Sequence, residues 1–264
     1  MKKFWRVLLL YSGHISQDRS RSFVFFLITL IQPLLLIAFW KAAFSASNHT
    51  GEFTYNAIST YYLLIIMFNT LIPWVEETVS KDDILQGRLS QYILRPYSYY
   101  WFKFIEELPY RFLQFIYSII VISVLSIIFR IHIWESISTR YIGYTGIIFV
   151  LSYFLMFNYK MVIGLLAFWM KEVTGTLNLS ATVMFIFAGF IMPLTLLNPK
   201  VFTIANTLPF AYMVYYPVAA LQGSLPMDRI IQVIGLQCIW LIFFSLLVRY
   251  TWKKGLQTFS SFGQ

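Results

Sequence analysis

An all-α integral membrane protein crossing the bilayer six times is the fold class this sequence predicts. Three observations carry the prediction. Six apolar runs are long enough to cross a bilayer, only 12% of the 264 residues are charged, and the basic residues cluster at the ends of the runs. A soluble domain carries about 25% charged residues. With 59% hydrophobic residues and a mean hydropathy of +0.68, the chain has too little polar surface for water, so its solvent is lipid. The whole chain, residues 1–264, reads as a single transmembrane domain.

The first 22 residues place Phe4, Trp5, Leu8, Leu9 and Ile15 among Lys2, Lys3, Arg6, Arg19 and Arg21. Apolar and basic residues mixed in this way predict an amphipathic helix lying in the headgroup layer. The apolar run that follows is too long for the core of a secretion signal and lacks a small-residue cleavage site. Spanning about 30 Å of hydrocarbon takes about 20 helical residues. Six segments qualify: 23–44, 57–74, 108–129, 142–169, 179–197 and 230–248. They are apolar on all sides rather than at alternate positions, and lipid leaves a lone strand without backbone partners, so helices are the solution.

Between the second and third runs lies the one sizeable segment expected on the inner side, residues 75–107. Apolar Ile84, Leu85, Leu89, Tyr92 and Ile93 recur there near helical spacing, and Pro96 stops the pattern. The reading is a short amphipathic helix over residues 83–96 that needs something to pack against. Its companion is either the inner ends of its own bundle or the cleft of a soluble partner. The sizeable outer segment, residues 198–228, is apolar for a loop and broken by Pro209 and Pro217, which predicts a re-entrant pair of short helices.

Basic residues set the orientation. An inside amino terminus leaves Lys81, Arg88, Arg95, Lys103, Lys171, Arg249, Lys253 and Lys254 inside together with the amino-terminal five. Only Lys41, Arg130, Arg140, Lys200 and Arg229 fall outside. Both termini are therefore expected in the cytoplasm. The same distribution explains the net charge of +9 by flanking residues, with no basic face for nucleic acid.

Catalytic signatures are missing. The sequence has no GxxxxGK[ST] phosphate loop, no HExxH, no GxSxG and no Cys/His cluster, its three histidines being scattered over His14, His49 and His132. The single cysteine, Cys238, sits in an apolar run. Neither a catalytic role nor a bound cofactor or metal is expected of this chain. Inside the runs, Asn69, Asn158 and Lys160 are candidates to line a pathway, because polar groups at membrane depth face a cavity or a partner. Lys160 alternatively snorkels or meets a carbonyl. Glu107 and Arg111 are spaced for an intrahelical pair, and Glu76 and Glu77 are either solvated or bind basic groups of a partner.

The run Asp83-Ile84-Leu85-x-Gly87-x-Leu89-x-x-Tyr92-x-Leu94-Arg95-Pro96 resembles the cytoplasmic motif of six-span permease subunits of type-2 ABC exporters, in the branch encoded as two permeases with one ATPase. Ala167-Phe168-Trp169, Leu208-Pro209-Phe210 with Pro217 and Gly223, and the tail from Gly255 to Gly263 agree with it, over nearly the full length. The tail departs from the small-residue, Gly-rich ending usual in the family. The resemblance implies a half-transporter of the bacterial inner membrane. A second permease, the same or homologous, would pair with it, and two copies of a separate ATPase would bind ATP and magnesium. Residues 83–96 would be the coupling helix, with Asp83, Ile84, Leu85, Gly87, Arg88, Leu89, Tyr92, Leu94, Arg95 and Pro96 meeting the ATPase. An unknown amphipathic or hydrophobic substrate would leave the cytoplasm or inner leaflet by alternating access. An ion-coupled secondary carrier, which would need paired carboxylates within the membrane, and a membrane scaffold without transport are the other readings.

Overall fold

The computed structural model describes residues 19–46 and 54–259. Those residues form helices and loops, with no strand among them. Helix α1, Arg19–Ala46, opens the described chain. It takes in residues 19–22, which the sequence reading assigned to the interfacial helix; the remainder of that helix lies outside the described residues. Helix α2, Tyr55–Leu71, is capped by the Thr54 side chain and stops where Pro73 holds Ile72 extended. The chain turns helical again at once as α3, a turn of α-helix at Val75–Glu77 running into a π-helical stretch at Thr78–Leu85. A five-residue helix follows, α4 at Leu89–Ile93, and then α5, Tyr99–Phe129.

Helix α5 begins nine residues before the expected span. Ion pairs Lys103–Glu106 and Glu107–Arg111 lie along its own surface and support helix through a polar stretch that hydropathy reads as loop, with Pro109 inside it. Its later turns are apolar and exposed, with Phe112, Ile119, Ile120 and Ile127 facing outward, as lipid contact requires. A short α6, Ile133–Ser136, precedes α7, Ile142–Leu165, which ends in a 3-10 turn at Leu166–Trp169. Helix α12, Met227–Thr258, is the longest element and packs along α7.

The run expected as the fifth span, 179–197, is not one continuous helix. Helix α8, Thr174–Phe187, has 14 residues and is about 21 Å long, shorter than the hydrocarbon core. It ends just before Gly189, whose φ of +91° places it in the left-handed region, and the chain continues without helix to Pro193, where a 3-10 turn at Leu194–Leu196 follows. A side chain at Gly189 would also collide with the Tyr61 hydroxyl. The carbonyls released by the break are served by α2. Tyr61 donates to the Gly189 carbonyl at 2.7 Å, and Tyr62 donates to that of Ile191 at 2.8 Å. Two carbonyls of the irregular backbone thereby gain partners inside the protein.

The apolar outer segment folds as α9, Pro199–Thr207, α10, Phe210–Met213, and α11, Tyr215–Leu221. Helices α10 and α11 are buried against α7, α10 also meeting α12 and α11 meeting α2. The break between them leaves the Tyr212 carbonyl free of the helix, and Ser152 and Gln237 both donate to it at 2.9 Å. Among the described residues, four helical runs are long and apolar enough to cross a membrane: Tyr55–Leu85, Tyr99–Phe129, Ile142–Trp169 and Met227–Thr258. Two further apolar stretches, Leu34–Phe44 within α1 and Thr174–Phe187, are shorter.

Candidate functional site

The segment from Val75 to Tyr99 forms an elbow joining α2 to α5. It is not the single helix over residues 83–96 that the sequence pattern suggests. The π-helical stretch closes with the Gln86 N–H donating to the Lys81 carbonyl at 3.1 Å, an i to i−5 bond. Gly87 then reverses the chain with a φ of +76°, a backbone that a side chain would strain. Helix α4 follows, and Pro96 ends it by forbidding a further helical turn.

This division decides which candidate residues could meet another protein. Ile84 and Leu89 turn inward and pack into the core, Leu89 with none of its surface exposed. Leu85, Arg88, Arg95 and Pro96 are exposed, and Leu94 keeps 87% of its surface open. The elbow therefore packs against its own bundle through one face and presents a basic, partly apolar edge through the other. Gly87 and Tyr92 are half-buried between the two.

Asp83 is also turned inward. Its side chain is 2% exposed and forms an ion pair with Lys103 at 2.7 Å, and the Tyr99 hydroxyl donates to it at 2.5 Å. Lys103 reaches Glu106 at 2.9 Å and lies 5.0 Å from the centre of the Tyr92 ring. Tyr92 is packed edge-on to Tyr99, and Tyr99 is stacked on Trp252 of α12 at 4.7 Å and 9°. Burial pushes the Tyr92 phenol above its ordinary pKa, so it stays a neutral ring under the lysine. Asp83 thus fastens the end of α3 to the first turn of α5 and is not presented to a partner. Removing one member of such a pair leaves a buried charge, a loss of about 3–5 kcal/mol.

A second buried pair holds the start of the elbow. Glu76, in the first turn of α3, forms an ion pair with Lys160 of α7. The approach is set by Gly164, one turn further along α7, where an added side chain would press on the Glu76 backbone and the Val79 side chain. Nearby, Arg111 pairs with Glu107 at 2.8 Å, as the spacing suggests, and Glu107 also accepts the Trp74 N–H at 3.4 Å. Glu77 pairs with Lys81 across one exposed turn.

The three candidate pathway residues are not brought together. Lys160 is buried against Glu76. Asn158 stands two residues away on the same helix, about 200° round its axis, and so faces elsewhere. Asn69 is half-buried on α2. The partners of the two lysines were hidden from sequence reasoning. Glu76 and Lys160 are 84 residues apart, and Lys103 looked like a loop cation marking topology.

A family model described as ABC-2 family transporter protein matches residues 30–263. No curated protein matches the sequence.

Proposed function

Since the chain belongs to the ABC-2 transporter family, a family of membrane components of ABC transporters that work with ATP-binding cassette ATPases, we propose that it is the permease half of an ATP-driven exporter. In this reading it crosses the bilayer six times, with α1 and the short α8 as the first and fifth crossings and both termini in the cytoplasm. It pairs with a second permease, the same or homologous, and two ATPase subunits bind beneath. ATP and magnesium are held by those subunits, while this chain supplies the path for an amphipathic or hydrophobic substrate.

The elbow is the observation that carries the proposal. A lever that passes force to the spans must be stiff where it joins them and open where it is pushed. Here the joined face is locked by Asp83–Lys103 and Glu76–Lys160, and the open face offers Leu85, Leu94 and Arg95. Covering an exposed leucine of this kind contributes roughly 1.5–3 kcal/mol, whereas an exposed Arg88 or Arg95 ion pair adds only about 0–1 kcal/mol. Leu94 is accordingly the contact that matters most.

The test is co-expression with the cognate ATPase. Leu94→Asp is expected to weaken the complex and uncouple ATP hydrolysis while the permease still folds. Leu89→Asp is expected to unfold the elbow itself, because that side chain has no exposed surface. A complex insensitive to Leu85→Asp and Leu94→Asp together overturns the elbow's assignment. Transport by the reconstituted chain driven by an ion gradient without ATP replaces the exporter reading with the carrier one.

A further inference from the structure

Where the elbow meets α5, α7 and α12, the chain encloses a cavity of about 650 Å3, within the range of ordinary small-molecule sites. One stripe of α12 forms its long wall: Leu241, Ser245, Val248, Arg249, Trp252 and Leu256, spaced as residues on one helical face are. Helix α7 contributes Phe154, Asn158 and Met161 at the same kind of spacing. Tyr92 and Trp101 close the elbow side.

Three properties of this lining specify a ligand. Asn158 is 1% exposed, and its Nδ2 donates to the Phe154 carbonyl at 2.8 Å. Its Oδ1 is buried with no hydrogen-bond partner, and the Tyr100 hydroxyl of the same lining engages the Asn158 amide, so the two form a polar spot in the wall. Arg249 is exposed and forms no ion pair among the described residues, and exposed Lys253 and Lys254 follow it on the same helix end. Ser98 and Ser245 apart, the remaining walls are apolar or aromatic, and include the tryptophan and tyrosine rings that favour a headgroup layer. A water-soluble anion would satisfy Arg249 and leave the apolar wall bare. A neutral hydrocarbon would do the reverse.

We propose that this cavity holds one anionic phospholipid from the leaflet on the elbow side. Its phosphate sits at Arg249, a hydroxyl of its head or glycerol donates to Asn158 Oδ1, and its chain runs along Leu241, Met161 and Phe154. Basic pockets between spanning helices recognise anionic headgroups in this way. Because Tyr92 and Trp252 belong both to this lining and to the lock on the elbow, the lipid would sit against the lever's hinge.

The test uses the purified full-length chain in neutral detergent, with retained lipid counted by native mass spectrometry. Phosphatidylglycerol, phosphatidylcholine and glycerol 3-phosphate serve as probes. One phosphatidylglycerol is expected to survive at detergent levels that strip phosphatidylcholine. Arg249→Gln should weaken its retention about fivefold, the effect of one basic group at a charged headgroup layer. Leu241→Trp, which fills the apolar wall at unchanged charge, should abolish retention, and Lys200→Gln, on α9 and outside the lining, should not alter it. Equal retention of the two lipids, a wild-type result for Arg249→Gln, or displacement by glycerol 3-phosphate would each overturn the proposal, the last by assigning the site to a soluble anion.

Discussion

Replacing Lys103 by methionine is the sharpest perturbation of the elbow. The change keeps most of the length of the side chain and removes its charge. Asp83, 2% exposed, would retain only the Tyr99 hydroxyl at 2.5 Å as a partner for its carboxylate. An uncompensated buried charge costs about 3–5 kcal/mol, and Lys103→Met should lose that much. The reverse deletion is milder. In Asp83→Asn the lysine keeps Glu106 at 2.9 Å and the Tyr92 ring at 5.0 Å, so about 1–3 kcal/mol is expected. The double variant leaves no buried ion on Asp83 or Lys103, and Glu106, with 24% of its side chain exposed, can turn to water. It should therefore be more stable than Lys103→Met alone, with a coupling energy of about 0.5–3 kcal/mol. Equilibrium unfolding in mixed dodecyl maltoside and SDS micelles measures all three. If Lys103→Met costs no more than the 0–1 kcal/mol of an exposed pair, the elbow is not locked and the lever argument fails.

The second buried pair makes a parallel case. Glu76→Gln should destabilise by about 3–5 kcal/mol and Glu76→Gln with Lys160→Met by less, read by the same unfolding assay. Gly164→Leu forces α7 off α3 at their closest approach and should cost about 1–3 kcal/mol or more, lowering the midpoint of thermal unfolding. Tyr61→Phe removes the donor to the Gly189 carbonyl and should cost about 1–3 kcal/mol, whereas Tyr110→Phe, whose hydroxyl serves no such break, should stay near wild type. Equal effects of those two substitutions would refute the role given to Tyr61.

Hydropathy made the apolar lengths legible. The run at residues 142–169 coincides with α7 and its terminal 3-10 turn, because apolar residues continue to both ends. It failed where helices leave hydrocarbon. Helix α12 extends ten residues past the expected end at Val248, because Arg249, Lys253 and Lys254 lie on a helix that is polar at its tip. Helix α5 starts early for the corresponding reason at its own beginning. At α8 the error ran the other way, since a partly buried irregular stretch from Gly189 is as apolar as a span.

The elbow was legible as a place and not as a mechanism. Pattern and resemblance both pointed to residues 83–96, yet alternation of apolar residues cannot distinguish a face turned to the bundle from one turned to a partner. Ile84 and Leu89 turned inward while Leu85 and Leu94 turned outward. Asp83 was placed outward by the resemblance, and its burial depends on a lysine twenty residues on that only the turn at Gly87 brings back to it.

The interruption after α8 bears on biogenesis. Backbone left open at that depth can be served only once the tyrosines of α2 are beside it, so the carboxy-terminal half cannot settle into lipid by itself. Synthesis from the amino terminus delivers the helper before the client. A chain permuted to make residues 174–259 first would expose unsatisfied carbonyls to hydrocarbon until its other half arrived, which makes the order of translation part of what lets this fold form.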